Sequence, residues 1–213
     1  MIKYLSSAGI CILIMHALNA QKTVPTLRAN LPDTRFYDWG KPPVQDPYGP
    51  GNPWVHPHIM CHGAYESIKA SSTLAPQGKF TYPITNLSDD NPKTAWVEGA
   101  ADYGIGEYIE FSNYTFYGSE LYILNGYQSS QTSWENNSRV KKLKVSCNGK
   151  DICILELGDV MGTQTFTLSD ALLEKLNSDN VNEYKTIRFT IMEVYPGIKW
   201  KDTAITEIFT CGG

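Results

Sequence analysis

Asp89, Asp90, Asn91 and Thr94 stand within six residues of one another in Asn86-Leu-Ser-Asp-Asp-Asn-Pro-Lys-Thr-Ala-Trp96. Oxygen donors crowded into so short a loop suit a hard cation such as Ca²⁺, which takes about six to eight oxygens, backbone carbonyls included. The same residues also make ordinary turns: Pro92 pre-sets the backbone, and Asp and Asn side chains satisfy local donors. An Asx-rich turn without metal is therefore an open alternative. Other chemistry is sparser. His56, His58 and His62 share one run with Cys61, Trp54-Val-His-Pro-His-Ile-Met-Cys-His62, which resembles a copper- or zinc-binding sequence but reads better as a surface loop. No G-x-S-x-G elbow accompanies these histidines. Glu107 and Glu110 are the nearest carboxylate pair, but three positions apart in a strand they point to opposite faces, and each reads as a solvated polar position. Gly104-Ile-Gly106 lacks the strand–helix setting of a nucleotide loop.

The elements that must position these residues are short strands. Segments 108–111, 119–124, 139–146, 152–157, 163–168, 186–194 and 203–209 are rich in β-branched, aromatic and alternating residues. In Thr186-Ile-Arg-Phe-Thr-Ile191 the apolar Ile187, Phe189 and Ile191 alternate with Arg188 and Thr190, the pattern of a strand with one covered face. Only 169–176 reads as a helix, capped by Ser169 or Asp170. Many strands and one minor helix predict an all-β sandwich or jelly roll.

Three regions follow. Residues 1–20 combine Lys3, an apolar run to Leu18 and a small residue at Ala20, the pattern of a secretory signal peptide; this predicts export, and the run is too short to predict a membrane span. Residues 21–60 form an irregular arm rich in proline and aromatics, among them Phe36, Trp39 and Trp54. It is expected to lie extended on the domain surface and to be able to dock a partner protein; a flexible stalk is the alternative. Residues 61–213 form the β domain. Loss of residues 1–20 would leave 17 basic against 22 acidic residues, a net charge of −5. Lys141, Lys142 and Lys144 are an isolated strand-face cluster, so nucleic acid is not an expected partner. Four cysteines remain, Cys61, Cys147, Cys153 and Cys211, an even number that reads as disulfides in an exported chain. Asn148-Gly149 marks a turn between Cys147 and Cys153, predicting a bridge across a hairpin.

The Asp-rich segment resembles the D-G-D-x-x-T-x-W signature of discoidin-like (galactose-binding-like) jelly rolls. The residues Tyr82-Pro83, Thr94-Ala-Trp-Val-Glu98, Gly104 to Phe111, Asn125-Gly-Tyr127, Asn137 to Lys144, Val194 to Gly197 and Asp202 to Ile208 are most similar to its NADase-type glycan-binding, or NAD-glycohydrolase translocation, subgroup. The resemblance implies one structural Ca²⁺ held by Asp89, Asn91, Thr94 and Glu207. Asp90 stands where the pattern has Gly, and Asn91 where it has Asp, which removes one negative charge. It also implies a Cys61–Cys211 bridge tying the two ends of the domain.

Discoidin-like modules bind through loops at one end of the sandwich. The loop from Gly126 to Arg139 is the best candidate: Trp134, in a run of polar residues with no strand pattern to bury it, offers its ring for sugar stacking. Tyr127, Asn137 and Arg139 would add hydrogen bonds. Turn-setting by Asn137 and internal pairing of Arg139 are the competing readings. Trp200, in the second turn Tyr195 to Asp202, reads as packing. The resulting expectation is a secreted, non-catalytic glycan-binding module at a cell or envelope surface. A protein-interaction scaffold using residues 21–60 is the second reading, and a small hydrolase a distant third.

Overall fold

A computed structural model describes residues 24–31, 65–116, 118–177 and 184–211. The signal segment, the histidine run, Cys61 and the aromatics of the arm lie outside the described residues. In chain order the elements are β1 (Thr26–Arg28), β2 (Ser67–Ala70), β3 (Trp96–Val97), β4 (Tyr108–Ser112), β5 (Glu120–Asn125), α1 (Gln131–Asn136), β6 (Ser138–Cys147), β7 (Lys150–Glu156), β8 (Thr163–Thr167), α2 (Asp170–Leu176), β9 (Thr186–Tyr195) and β10 (Thr203–Cys211). The strands pair as two layers, β2-β4-β9-β6-β7-β1 and β3-β10-β5-β8, joined by a short parallel contact between Thr203-Ala204 and Ser138-Arg139. This is the expected all-β jelly-roll sandwich.

Alternation decides which residues meet between the layers. From the first, Ile109 lies opposite Phe189 and Phe111 opposite Ile187, with Val145 and Cys147 continuing the two rows into β6. From the second, Leu121, Ile123, Phe166, Ile205 and Ile208 close over them in one buried cluster with Trp96. Each such apolar side chain contributes about 1.5–3 kcal/mol on burial.

Within the arm, residues 24–31 are not a tether. β1 runs parallel to β7, from Thr26 opposite Ile154 to Arg28 opposite Glu156. Asn30 then exchanges two hydrogen bonds with Thr165 of β8, 2.8 and 3.1 Å long. One short segment thus covers an edge of each layer, a protection that exposed edges need.

The expected Cys147–Cys153 bridge is not formed. The two-residue turn Asn148-Gly149 sets Cys147 opposite Lys150, and beyond the bulge between Val145 and Ser146 Cys153 lies opposite Val145, so the cysteines occupy successive rows of the core rather than facing each other. Cys153 is almost wholly buried, and burial pushes its thiol up to about 12.

Candidate functional site

The acidic loop forms because both its ends are fixed. Leu87, in the short 3₁₀ turn Ile84–Ser88, is fully buried. The Asn86 side chain donates to the Ala95 carbonyl at 2.9 Å, and Trp96 enters β3 fully buried with its indole N–H on the Ser72 carbonyl at 3.1 Å. Between these anchors Asp90 takes φ +56°, the left-handed conformation for which Gly is usual. Opposite the loop, β10 presents Glu207. The Asn91 amide donates to Asp89 Oδ1 at 3.0 Å and to Glu207 Oε1 at 3.2 Å. Thr94 Oγ1 lies 2.7 Å from Asp89 Oδ2 and 2.8 Å from the Asn91 carbonyl. The side-chain oxygen of Asn91 caps the Lys93 amide at 3.1 Å.

Asp89, Asn91, Thr94 and Glu207 therefore converge across more than a hundred residues of sequence, but the electrostatics are unbalanced. Glu207 is 4% exposed, and its Oε2 is buried with no hydrogen-bond partner. Burial, and then the neighbouring Asp89 carboxylate, push the Glu207 carboxyl up to about 9. An orphaned buried oxygen beside a second carboxylate calls for a positive partner, a proton or a cation. The surrounding donors are all oxygens, which fits a hard cation. Among the described residues no three His, Cys, Asp or Glu side chains group to hold a metal ion, so a cation here would draw on Asn91, Thr94 and backbone oxygens besides the carboxylates.

The loop from Gly126 to Arg139 differs from expectation. Ser130 caps a helical turn, its Oγ accepting from the Ser133 amide at 3.0 Å, and the resulting α1 turns Trp134 inward. Trp134 is 7% exposed and donates its indole N–H to the Asn125 carbonyl at 3.0 Å. Arg139 lies against the ring, 4.5 Å from its centroid. The same guanidinium grips Asp159 through a fork at 2.8–3.0 Å and donates to the carbonyls of Asn137 and Pro196. Asn137 ends α1, its side chain on the Ser133 carbonyl at 2.8 Å. Gly126 (φ +82°) passes so close beneath that a Cβ there would come within 2.7 Å of Trp134 and Arg139. Trp134, Asn137 and Arg139 thus form a structural knot, and the expected availability of the Trp134 ring is corrected: a short capped helix, not a strand, buries it. Tyr127 is half-buried, edge-on to Tyr82 at 6.3 Å.

Sequence reasoning marked the neighbouring turn, Tyr195 to Asp202, but missed the exposure of its tryptophan. The amides of Ile198 and Trp200 donate to the carbonyls of Glu135 and Asn136 at 2.9 and 2.8 Å, so residues 196–202 are bolted to α1 by backbone while their side chains face outward. Ile198 is 78% and Trp200 41% exposed, against the expectation that Trp200 packs. Lys201 reaches Asp102 at 2.8 Å and lies 5.5 Å from the Tyr103 ring. The buried Glu98 ties this second loop down, accepting from the amides of Ala100 at 2.7 Å and Thr203 at 3.0 Å. Its carboxyl is raised by burial. The rim is thus two adjoining loops, Trp200 with Lys199 4.5 Å from its ring on one and Tyr103 with Asp102 on the other, linked by Lys201. The signal was present in Lys199-Trp-Lys-Asp202, an aromatic among charges just after a Pro-Gly turn.

A sandwich of these two layers, with an acidic loop over the strand that carries Glu207, is a discoidin-like jelly roll. A solved structure of the first two family 32 carbohydrate-binding modules of Clostridium perfringens ZmpB, in complex with GalNAc, is similar with TM-score 0.52 and 9% identity, covering 91% of this chain and 42% of that one. The family 32 module of C. perfringens NanJ, in complex with galactose, gives TM-score 0.43 and 15% identity over 67% of this chain and 90% of that one. The chain spans less than half of the ZmpB structure. No curated protein matches. Residues 59–210 match the model of the NAD glycohydrolase translocation F5/8 type C domain, and the chain belongs to that family.

Proposed function

We propose that this chain is an exported, non-catalytic glycan-binding module that holds sugar at the rim of Tyr103 and Trp200. The observation that carries the reading is the exposed indole of Trp200, projecting from a turn whose amides are fixed to α1. A rigid aromatic beside polar and charged groups suits a sugar, whose apolar face stacks while its hydroxyls bond the flanking side chains. Lys199, 4.5 Å from the Trp200 ring, and the Lys201–Asp102 pair on the adjoining loop supply such groups. GalNAc, bound in the similar ZmpB structure, is the first ligand to try. Surface action follows from export of a module without chemistry of its own. Among the described residues no helix is long and apolar enough to cross a membrane.

One structural Ca²⁺ belongs to this reading. Asp89, Asn91, Thr94 and Glu207 would hold it, and the orphaned Glu207 oxygen supports it. The ion would supply positive charge that locks the loop to β10, leaving the rim residues to meet the ligand. The test is a glycan array followed by calorimetric titration of the hits. Trp200→Ala is expected to lose binding by about tenfold or more with unchanged melting temperature, as a stacking contact predicts. An array without hits, or a Trp200→Ala protein that binds like the parent, would overturn the rim assignment.

A further inference from the structure

Away from the rim, the outward face of the first layer carries a row of polar residues at one register across five strands: Lys69 on β2, Glu110 on β4, Arg188 on β9, Ser146 on β6 and Asp151 on β7. Outer sheet faces are usually solvated, and Glu110 was expected to be so. Instead Glu110 is 5% exposed. Lys69 holds one of its oxygens at 2.6 Å, and Arg188 holds the other through Nε and Nη2 at 2.8 and 2.5 Å. Burial alone would raise this carboxyl, but the hydrogen bonds from Lys69 and Arg188 keep it below the usual range. Arg188 is itself pinned, its guanidinium 4.0 Å from the Tyr108 ring centroid.

The β6–β7 turn walls this face on one side. Asn148 and Gly149 both take positive φ, +48° and +77°, and Asn148 accepts from the Thr186 amide at 2.8 Å. The turn, β6, β9, Asp151 of β7 and Glu110 of β4 line a groove of about 400 Å³ that stands half open to solvent. The lining itself pairs two cations, Lys144 and Arg188, with two carboxylates, Glu110 and Asp151; Lys69, outside the lining, holds the other oxygen of Glu110 and adds one positive charge next to the groove. Among the described residues Arg188 Nη1 has no hydrogen-bond partner, and neither do the side-chain hydroxyls of Ser146, Thr186 and Thr190.

We propose that this groove is a second binding site, for a carboxylate-bearing sugar unit. Arg188 Nη1 and Lys144 take the carboxylate, and Ser146, Thr186 and Thr190 take the ring hydroxyls. A guanidinium held flat and already oriented loses little freedom on meeting a carboxylate. The volume suits one or two sugar rings, at the small end of ligand sites. Ser146 and Ser138, which meets the rim turn, stand at opposite ends of β6, about 25 Å apart at roughly 3.3 Å per residue. The two sites therefore answer to different substitutions, and this one stands whether or not the rim binds sugar.

The experiment titrates the ¹⁵N-labelled protein with trigalacturonate and, separately, with neutral galactotriose, following amide shifts. Trigalacturonate is expected to move the amides of Ser146, Thr186, Arg188 and Thr190, and to weaken as NaCl rises. Thr190→Trp, which fills the groove without touching an ion pair, should weaken binding about tenfold. Arg188→Lys, which keeps a cation on Glu110 but loses the fork, should weaken it severalfold, while Trp200→Ala leaves it unchanged. Equal shifts with the neutral trisaccharide, shifts confined to the rim, indifference to Thr190→Trp and Arg188→Lys, or no shift at millimolar ligand would each overturn the proposal.

Discussion

Trp134 and Trp200 lie in adjoining loops, tied together by the hydrogen bond from the Trp200 amide to the Asn136 carbonyl, yet one ring is 7% exposed and the other 41%. Both stand among polar residues. The difference arises from backbone satisfaction. Residues 131–136 close a helical turn on the Ser130 cap, which fixes the direction of Trp134 and lets Arg139 cover it. Residues 196–202 close no helical turn and give three amides, those of Ile198, Lys199 and Trp200, to α1, so the Ile198 and Trp200 side chains are left outside. One tryptophan stabilises the platform and the other is presented by it.

Substitution of the buried ring gives the largest expected effect. Trp134→Ala removes the ring under Arg139 and the Asn125 hydrogen bond, and large aromatic-to-alanine changes in a core cost about 3–5 kcal/mol. For a domain of this size that corresponds to a melting-temperature drop of roughly 10 °C. Trp200→Ala should move stability by less than about 0.5 kcal/mol while removing glycan binding. Thermal melts and titrations on both variants test the contrast; a stable Trp134→Ala protein that has lost binding would reverse the roles.

The acidic loop gives the next effect, and its sign follows from Glu207. The folded carboxyl is raised to about 9 by burial and Asp89, against roughly 4.3 in an unfolded chain. The folded state therefore binds the proton more tightly. That contribution is complete below about pH 4 and is lost as pH rises towards 9. With EGTA present, the melting temperature should fall across this window; with Ca²⁺, the fall should flatten or reverse. Glu207→Gln should remove most of the slope. A melting temperature indifferent to both EGTA and pH would count against any cation at Asp89 and Glu207.

How much of this was legible depends on the range of the cause. Strand alternation in 186–191 placed Ile187 and Phe189 in the core because the period-two pattern is local to the strand. The pairing of Asp89 with Glu207 came through family resemblance, since no spacing rule joins residues so far apart. Burial of Trp134 depends on a helix of six residues, too short to show an apolar period. The groove at Arg188 is a property of register: Lys69, Glu110, Ser146 and Asp151 come from four other strands and align only after the sheet forms. The hairpin bridge failed for a local reason: a two-residue turn at Asn148-Gly149 pairs Cys147 with Lys150 and leaves Cys153 three positions further along β7.

That hairpin leads to the smallest effect. If Cys147 and Cys153 remain unbonded in the folded protein, peptide mapping without reduction recovers no peptide pair joined through them. Cys153 should also resist iodoacetamide at pH 8, since burial raises its thiol to about 12 and only the thiolate reacts. Under denaturant the same residue should alkylate readily, because exposure restores an ordinary thiol near 8.5. A Cys147–Cys153 peptide pair would mean that the register set by the turn Asn148-Gly149, with Cys147 opposite Lys150, is not the one formed. Asp151 would then leave the row that begins at Lys69, and the groove would lose its wall at Asn148-Gly149.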